Sequence, residues 1–301
     1  MKVGYIGLGD LGAPMAERIL HHGHSLLVWN RTREKMLPLI AAGAAATDSP
    51  ADLGRQCEIV CTCVDSAHAL EQILFASEGL ANSSPKPRLV VDHSTIHPRD
   101  AVRISEKLRA LDLAMIDAPV SGGAAGAKTG TLAVMAGGSN ADIEAAQPLF
   151  AAYALQVTHM GPIGSGQAAK ACNQIINFGT IACIAEALAL GSAYGLEVSL
   201  LPKALMGGLA DSNMLREYMR GASTGDKPHM TSIINRLVVL FGGRVEATTG
   251  GSMHLVLKDL GIAIELARSQ STMASGTSLI ENWFRLLLRP EGLRDGTPDS
   301  G

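Results

Sequence analysis

The segment KVGYIGLGDLGAPMAERIL, residues 2–20, decides the fold of this chain. A short apolar strand pattern is followed by three glycines, spaced Gly7-x-Gly9-x-x-Gly12, and then by a helical pattern. Glycines in this arrangement allow a tight turn, a close approach of the backbone to a pyrophosphate, and close packing of helix on strand. The N-terminus of the helix would offer free N–H groups to the phosphates. A glycine-rich turn without a ligand is the alternative, but the strand–turn–helix placement favours a dinucleotide site.

Short apolar strands alternate with helical stretches through the first half of the chain. Several strands are continuous runs of Val, Ile and Leu, which is typical of a sheet covered on both faces. The alternation predicts an α/β fold with a doubly wound parallel sheet of the Rossmann type. The predicted strands are Val3–Ile6, Ser25–Trp29, Glu58–Val64, Leu89–Asp92, Ala114–Asp117, Leu132–Ala136 and Leu155–Thr158, with early helices at Ala13–His22 and Arg33–Ala42.

The pattern changes at a glycine-rich turn, residues 161–166, after which only helical patterns follow. We therefore expect a dinucleotide-binding domain over residues 1–163 and an all-helical domain over residues 164–289. Residues 290–301, rich in Gly, Pro and Asp, predict a loose tail. The predicted helices are Gln167–Gly191, Leu200–Met206, Thr231–Phe241, Met253–Ser269 and Ser278–Leu288.

Composition narrows the class of protein. The 301 residues are 47% hydrophobic and 18% charged, which suits a sizeable folded core. A net charge of −3 and 4% aromatic residues argue against nucleic acid as a partner. The sequence shows no signal-peptide pattern and no run of about 18 uninterrupted apolar residues, so we expect no membrane partner. We interpret the most apolar long segment, Ile175–Gly191, as a buried helix. Five cysteines without a C-x-x-C pair indicate neither a metal site nor a disulfide framework, so we expect a cytoplasmic protein.

The end of the second predicted strand, Asn30-Arg31-Thr32, bears on the choice of cofactor. An NAD-selective site usually places Asp or Glu near this point, bonded to the ribose hydroxyls. Such a carboxylate would repel a 2′-phosphate, whereas Arg31 can form charge-assisted hydrogen bonds with one. The segment predicts a preference for NADP(H), with NAD possible; an ordinary polar strand end is the alternative.

Three further polar segments lie where predicted strands end: Val64-Asp65, His93-Ser94-Thr95 and the stretch from Asp117 to Gly123. In open α/β sheets, ligands bind at the carboxyl ends of the strands. Ser121 and the two glycines after it present a hydroxyl and backbone N–H groups, which predicts a site for a substrate carboxylate. A turn built from small residues accounts for this segment equally well when it is considered alone.

A polar stripe marks the long predicted helix, with Lys170, Asn173, Gln174 and Asn177 at positions i, i+3, i+4 and i+7. Burial of a lysine is costly unless it has a partner, and burial in general lowers a lysine pKa. Such a lysine can act as a general acid or base. The alternative is a lysine that reaches solvent or pairs across a subunit interface. The stripe and the preceding glycine-rich turn favour the catalytic role.

Two histidines are rival candidates for acid–base catalysis. His93 follows a predicted strand and His159 lies just before the predicted domain boundary. Neither has a clear set of companion residues, so we interpret both as structural.

These motifs together resemble the β-hydroxyacid dehydrogenase family, which includes 3-hydroxyisobutyrate dehydrogenase, tartronate semialdehyde reductase and L-threonate dehydrogenase. The resemblance extends over almost the whole chain in family order. The matching segments are Gly7–Ala16, Asn30–Thr32, Asp92–Thr95, Asp117–Gly123, Gly164–Lys170 with Asn173-Gln174, and Lys258–Leu260.

The resemblance implies a Rossmann domain followed by a helical domain, and a role for each matching residue. Lys170 would be the catalytic acid and base. The substrate would be bound by Ser121, Gly122, Gly123, Asn173 and Gln174. The cofactor would be bound by Gly7, Leu8, Gly9, Asp10, Leu11, Gly12, Asn30, Arg31, Thr32, Val64, Asp65 and Thr95, with Lys258 reaching it from the helical domain.

The chain departs from the family pattern at a few positions. Leu11 stands where Met is usual, and Arg18 where Asn is common. Gln174 replaces the second residue of an Asn-Asn pair, a variant that leans toward the tartronate semialdehyde reductase branch. The stretch 212–258 is longer than is typical of the family.

The resulting hypothesis is hydride transfer between NADP(H) and a small 3-hydroxy acid or its semialdehyde, with Lys170 exchanging the hydroxyl proton. The resemblance also implies a homodimer or homotetramer formed through the long helix, residues 167–191. One alternative is an imine reductase-like enzyme that uses NADPH. Another is a catalytically silent NADP-binding module used for assembly.

Overall fold

A computed structural model describes residues 1–224, 229–243 and 253–288 of the chain. The chain divides into two compact units, Met1–Asn173 and Gln174–Gly301. The predicted tail at 290–301 and part of the long stretch 212–258 lie outside the described residues. The predicted domain boundary at residue 163 lies just before the longest helix, and the division into units falls within that helix.

The first unit is built on one sheet, which confirms the predicted α/β Rossmann fold. Its order is β3-β2-β1-β4-β5-β6-β8-β7, with β9 paired to β8, and the first six strands of this order run parallel. β8 runs antiparallel to β6 and β7 and parallel to β9. The strands are β1 Lys2–Ile6, β2 Ser25–Trp29, β3 Ala45–Ala46, β4 Ile59–Thr62, β5 Leu89–Asp92, β6 Ala114–Asp117, β7 Val120–Ser121, β8 Leu132–Gly137 and β9 Ala154–Gly161.

Apolar side chains cover both faces of this sheet, because successive residues of a strand point to opposite faces. Tyr5, Cys61 and Val91 belong to one buried cluster, and their neighbours in the same strands, such as Val60 and Val90, belong to the other. The helices of this unit are α1 Gly12–His21, α2 Leu37–Ala41, α3 Pro50–Gly54, α4 Ala67–Phe75, α5 Pro98–Arg109, α6 Gly123–Thr129 and α7 Asn140–Phe150.

The strand order reverses beside β1, which has β2 on one side and β4 on the other. At such a point the connections from the two neighbouring strands run in opposite directions, which leaves a crevice at the carboxyl ends of the strands. Ligands bind in this crevice in open α/β sheets. The glycine-rich turn after β1 and the ends of β4 and β5 meet at this edge of the sheet. This edge therefore holds the candidate functional residues.

The second unit is helical in its described residues. Its core packs Phe178, Ile181 and Leu188 of the longest helix with residues such as Ile234 and Phe284. α10 was not predicted, although its polar and apolar residues alternate with helical period. The helices are α8 Ser165–Tyr194, which begins in the first unit, and α9 Leu201–Leu205, α10 Asn213–Thr224, α11 His229–Phe241, α12 Met253–Ser269 and α13 Ser275–Leu286.

The prediction of a buried helix over Ile175–Gly191 was wrong in one respect. α8 buries only one side, and the side chains of Ile176 and Leu190 are 70% and 71% exposed. The residue pattern could not show this, because apolar residues occupy both sides of the helix. By length and composition, α8 could also cross a membrane. This is weak evidence, because the core helix of a soluble protein passes the same test.

Candidate active site

The three glycines after β1 each meet a different constraint. Gly7 has a φ of +95°, and a Cβ added there would lie 2.2 Å from the carbonyl oxygen of Cys63. A Cβ at Gly12 would lie 1.9 Å from the carbonyl oxygen of Gly7. Gly9 faces open space, so its backbone is free for close approach by a ligand. This loop therefore fits a dinucleotide pyrophosphate at the N-terminus of α1.

Asn30, at the end of β2, connects this glycine loop to the turn that follows β2. The Leu8 backbone N–H donates to Asn30 Oδ1 at 2.9 Å, and Asn30 Nδ2 donates to the Thr32 carbonyl at 2.8 Å. Both polar atoms of the side chain thus hold backbone groups. Arg31 and Thr32 are exposed beside it. Arg33, the next cation, forms an ion pair with Asp48 at 2.7 Å.

A buried carboxyl organises the ends of β4 and β5. Asp92 Oδ1 accepts hydrogen bonds from the Thr62 hydroxyl at 2.8 Å and from the Ser94 hydroxyl and N–H at 2.6 and 3.2 Å. The Ser94 hydroxyl also accepts from the Val64 N–H at 2.9 Å. Burial raises the pKa of Asp92 to about 6, although the bonds from Ser94 and Thr62 oppose the shift. The predicted cofactor residues Val64 and Thr95 therefore flank a fixed polar cluster.

His93 is buried and structural in this geometry. Its Nδ1 lies 2.7 Å from the Ala118 carbonyl oxygen, so Nδ1 carries the hydrogen and donates. Its Nε2 then accepts from the Tyr153 hydroxyl at 2.9 Å. Burial lowers the pKa of His93 to about 4, so the ring is neutral at physiological pH. The exposed His159 places Nε2 3.0 and 2.8 Å from the carbonyl oxygens of Gly138 and Gly161.

Asp117, at the end of β6, caps the N-terminus of α8. Its Oδ1 accepts from the Gly164 N–H at 2.7 Å and its Oδ2 accepts from the Gln167 N–H at 2.8 Å. Burial raises the pKa of Asp117, and these backbone N–H groups oppose that shift. A Cβ at Gly166 would lie 2.4 Å from the Met135 carbonyl oxygen, so the helix can approach the sheet only with glycine there. Sequence analysis placed Asp117 at the rim of the sheet but missed this contact.

Lys170 lies on the second turn of α8 and is 7% exposed. Its Nζ donates to the carbonyl oxygen of Val120 at 2.8 Å. Val120 directly precedes Ser121, and Gly122 and Gly123 have φ values of +132° and +62°, a region that favours glycine. The structure thus brings the predicted acid–base residue to the predicted carboxylate segment. Asn173 lies three positions after Lys170, so the two residues share one helix face.

Two further predicted site residues, Gln174 and Lys258, belong to the second unit. Gln174 Nε2 donates to Asp259 Oδ2 at 2.5 Å, and Lys258 Nζ lies 3.3 Å from Asp259 Oδ1. Asp259 therefore joins both residues, a role that sequence analysis missed. The signal was present, because Asp259 is the second residue of the Lys258–Leu260 segment that matches the family.

The cysteines and metal-binding residue types were also located. All five cysteines lie within the described residues, and none of them forms a disulfide. Within the described residues, no group of three or more His, Cys, Asp or Glu side chains is arranged to hold a metal ion.

Two family models match consecutive parts of the chain. The model described as the NAD binding domain of 6-phosphogluconate dehydrogenase matches residues 2–161. The model described as the NAD-binding region of NADP-dependent 3-hydroxyisobutyrate dehydrogenase matches residues 164–297. Together the two models account for nearly all of the chain.

Similar proteins support the same grouping. The chain is 35% identical to an NAD-dependent L-serine dehydrogenase of Pseudomonas aeruginosa, over 96% of this chain and 92% of that protein. It is 31% identical to a 2-hydroxy-3-oxopropionate reductase of Escherichia coli, over 94% of this chain and 90% of that protein.

Solved structures share the fold. A Mycobacterium tuberculosis 3-hydroxyisobutyrate dehydrogenase with L-serine matches at a TM-score of 0.77 and 26% identity, covering 94% of this chain and 92% of that one. A chain described as Psf3 in complex with NADP+ and 2-OPP also matches at a TM-score of 0.77, with 25% identity and coverage of 94% and 93%. An imine reductase from Myxococcus stipitatus in complex with NADP+ matches at 0.63 and 18% identity over 95% and 93%, a likeness of fold alone.

The raised pKa of Asp92 predicts a pH-dependent difference in stability between the wild type and Asp92→Asn. Between pH 3.8 and about 6 the unfolded chain releases this proton while the folded chain keeps it. The wild type should therefore lose about 3 kcal/mol of unfolding free energy relative to Asp92→Asn as the pH rises from 3.5 to 7.5 (about 1.4 kcal/mol per pKa unit). Urea unfolding at a series of pH values measures this difference.

The control for this measurement is Asp48→Asn, which removes an exposed carboxylate. That variant should follow the wild type closely, because surface ion pairs contribute little. A constant difference between the wild type and Asp92→Asn at every pH would contradict a raised pKa in the folded state.

Proposed function

The chain belongs to the β-hydroxyacid dehydrogenase family, and on this premise we propose that it transfers hydride between NADP(H) and a small 3-hydroxy acid or its semialdehyde. One observation carries the proposal. The buried Lys170 donates to the Val120 carbonyl, directly before the Ser121-Gly122-Gly123 segment. An amine that can exchange a proton, beside a set of backbone N–H groups, suits a substrate that has both a carboxylate and a hydroxyl.

The chemistry divides between the cofactor and the chain. When bound, the nicotinamide ring accepts or supplies the hydride. Lys170 takes the hydroxyl proton during oxidation and returns a proton to the carbonyl oxygen during reduction. The Ser121 hydroxyl and the N–H groups of Gly122 and Gly123 hold the carboxylate, which fixes the reacting carbon relative to Lys170. Asn173, on the same helix face, orients the substrate hydroxyl or the lysine.

The relatives support the substrate class. L-serine, named for one relative and for one structural neighbour, has a carboxylate and a hydroxyl on carbon 3. The substrate named for the E. coli relative, 2-hydroxy-3-oxopropionate, is the semialdehyde form of such an acid. We therefore propose a substrate with a carboxylate and, on carbon 3, either a hydroxyl or an aldehyde.

The cofactor is proposed to be NADP(H). One relative is NAD-dependent and one structural neighbour contains NADP+, so family membership leaves the choice open. At the end of β2 this chain has the neutral Asn30 and the exposed cation Arg31 in place of a carboxylate. Arg31 can form charge-assisted hydrogen bonds with a 2′-phosphate.

The two alternatives have less support. The imine reductase structures share the fold at 17–18% identity, which says nothing of the substrate. A cyclic imine without a carboxylate would leave the Ser121 segment unused. A silent NADP-binding module would have no use for a buried lysine directed at that segment.

We also propose that the chain forms a homodimer or homotetramer through α8. Ile176, Cys183 and Leu190 are spaced by seven residues and exposed, so they form one stripe on the helix. Tyr194 continues this stripe and is 83% exposed. Apolar residues with this spacing are typical of seams between helices.

The proposed domains are residues 1–163 and 164–289, and the bounds of the two family models support them. The proposed location is the cytoplasm, where thiols that form no disulfide are usual.

The first test concerns Lys170. Lys170→Ala should lower kcat by about 100-fold to 10,000-fold while NADPH affinity changes little, because general acid–base catalysis contributes on this scale. The measurement is absorbance at 340 nm with 2-hydroxy-3-oxopropionate and NADPH, together with calorimetric titration of NADPH. The matched control is Lys203→Ala, an exposed lysine on α9. Wild-type turnover in Lys170→Ala would contradict the assigned role.

The cofactor preference is tested at Arg31. Arg31→Ala should raise the KM for NADPH by about tenfold or more and leave the KM for NADH nearly unchanged, because a charge-assisted bond contributes about 1.5–3 kcal/mol. Arg33→Ala is the control, since Arg33 pairs with Asp48. Equal affinity of the wild type for NADPH and NADH, unaltered in Arg31→Ala, would rule out this preference.

The assembly is tested at the exposed stripe of α8. Ile176→Glu combined with Leu190→Glu should shift the mass measured by light scattering toward the monomer, because carboxylates at a helix seam are buried without partners. Leu155→Glu, at an exposed leucine of β9, should leave the mass unchanged. A wild-type protein that is monomeric at micromolar concentration would refute the proposed assembly.

A further inference from the structure

Gln167 is a buried amide on the first turn of α8, 1% exposed. Its Nε2 donates to the Ser94 carbonyl at 2.7 Å, and its Oε1 accepts from the Ile96 N–H at 3.1 Å. The side chain therefore binds both a donor and an acceptor of the loop after β5. No step of the proposed chemistry uses Gln167, so this pair of bonds requires another explanation.

The loop that Gln167 holds also contacts the end of β4. Ser94 uses its carbonyl oxygen for Gln167 and its hydroxyl for the Val64 N–H and the Asp92 carboxyl. A continuous chain of hydrogen bonds thus runs from Val64 through Ser94 to Gln167. The family resemblance implies that Val64, after β4, and Thr95, on the loop that Gln167 holds, border the ribose and nicotinamide side of the cofactor.

The backbone of Gln167 is fixed as firmly as its side chain. Its N–H donates to Asp117 Oδ2 at 2.8 Å. Gln167 is thus tied to the ends of β5 and β6 at once, and Lys170 follows three residues later on the same helix face. Movement of the Ser94 loop relative to α8 would change the position of Val64 relative to Lys170.

We propose that Gln167 is a positioning residue that sets the distance between the nicotinamide edge, formed by Val64 and Thr95, and the acid–base group of Lys170. This inference rests on the proposed function. Hydride transfer requires the cofactor ring, the substrate carbon and the proton-exchanging group to be aligned together. A displacement of about 1 Å can lower such a rate by about 100-fold. Gln167 contributes the alignment, and Lys170 contributes the proton.

The kinetic test uses Gln167→Met, which keeps the volume and removes both hydrogen bonds. kcat per NADPH-binding site, counted by calorimetric titration, should fall between about 10-fold and about 100-fold. The KM for 2-hydroxy-3-oxopropionate and the Kd for NADPH should each change less than about threefold, because the buried Gln167 side chain bonds to the Ser94 loop and is not assigned to either molecule. A kcat per site equal to wild type would overturn the proposal.

A second variant, Gln167→Glu, isolates the bond to Ser94. An ionised carboxylate would place a negative oxygen against the Ser94 carbonyl, whereas a protonated one can donate to it as the amide does. Relative to wild type, kcat of Gln167→Glu should therefore recover at least about fivefold between pH 8 and pH 6, since burial raises a carboxyl pKa. Asp92 is joined to this position through Ser94, Asp117 through the Gln167 N–H, and Lys170 lies on the same helix face. The pH profile of Gln167→Met, which has no ionisable group at position 167, serves as the reference for the titration of these groups.

Ser83→Ala serves as the control for the loss of a buried side-chain bond. Ser83 donates to the Leu80 carbonyl at 2.6 Å, away from the site, and its loss should leave kcat per binding site unchanged. A defect in Gln167→Glu that stays constant with pH, beside an equal defect in Gln167→Met, would show a packing effect and overturn the proposal.

Hydrogen exchange separates a failure of this inference from a failure of the proposed function. A wild-type protein without turnover of any hydroxy acid or semialdehyde would refute the function but leave the positioning contact testable. In Gln167→Met the Ile96 N–H loses its acceptor directly, so its exchange should accelerate. The Val64 N–H, which donates to the Ser94 hydroxyl, should also accelerate by about tenfold if Gln167 fixes Ser94. Unchanged exchange at Val64 would overturn the inference.

Discussion

The contact between the Asp117 carboxylate and the N-terminus of α8 is the constraint on which the candidate site depends. A buried carboxylate is costly unless hydrogen bonds satisfy it, and the backbone N–H groups of Gly164 and Gln167 do so. The positive end of the helix dipole adds to this stabilisation. Because the first turn of α8 is fixed in this way, Gln167 meets the Ser94 loop and Lys170 meets the carbonyl of Val120. Three strand ends are thereby held around one helix terminus.

Much of this arrangement could be predicted from the sequence, because periodicity and glycine spacing are local signals. The parallel strands, the turn at Gly7–Gly12 and the placement of Lys170 on a long helix follow from such signals. β3 and β7 have two residues each, too few to show a period. The antiparallel direction of β8 depends on pairing between distant segments, which no local pattern contains.

The polar contacts within the site could be predicted only in part. Asp92, Ser94 and Gln167 have side chains that are common at turns and on helices, and their mutual bonds form only when β5 and α8 come together. The same holds for the pair of Gln174 and Asp259. The sequence points to Lys170 as the candidate for proton exchange, whereas the side chains bonded around the site become visible only in three dimensions.

Asn30 illustrates how a recognition position can also be an architectural one. Its amide supplies an acceptor to Leu8 and a donor to Thr32 at the same time. A carboxylate at this position could keep the first bond but would repel the Thr32 carbonyl. The change that would most directly suit a cofactor without the 2′-phosphate would therefore also loosen the turn that follows β2. A change of cofactor preference has an easier path through the exposed neighbouring positions Arg31 and Thr32, where one substitution changes one property.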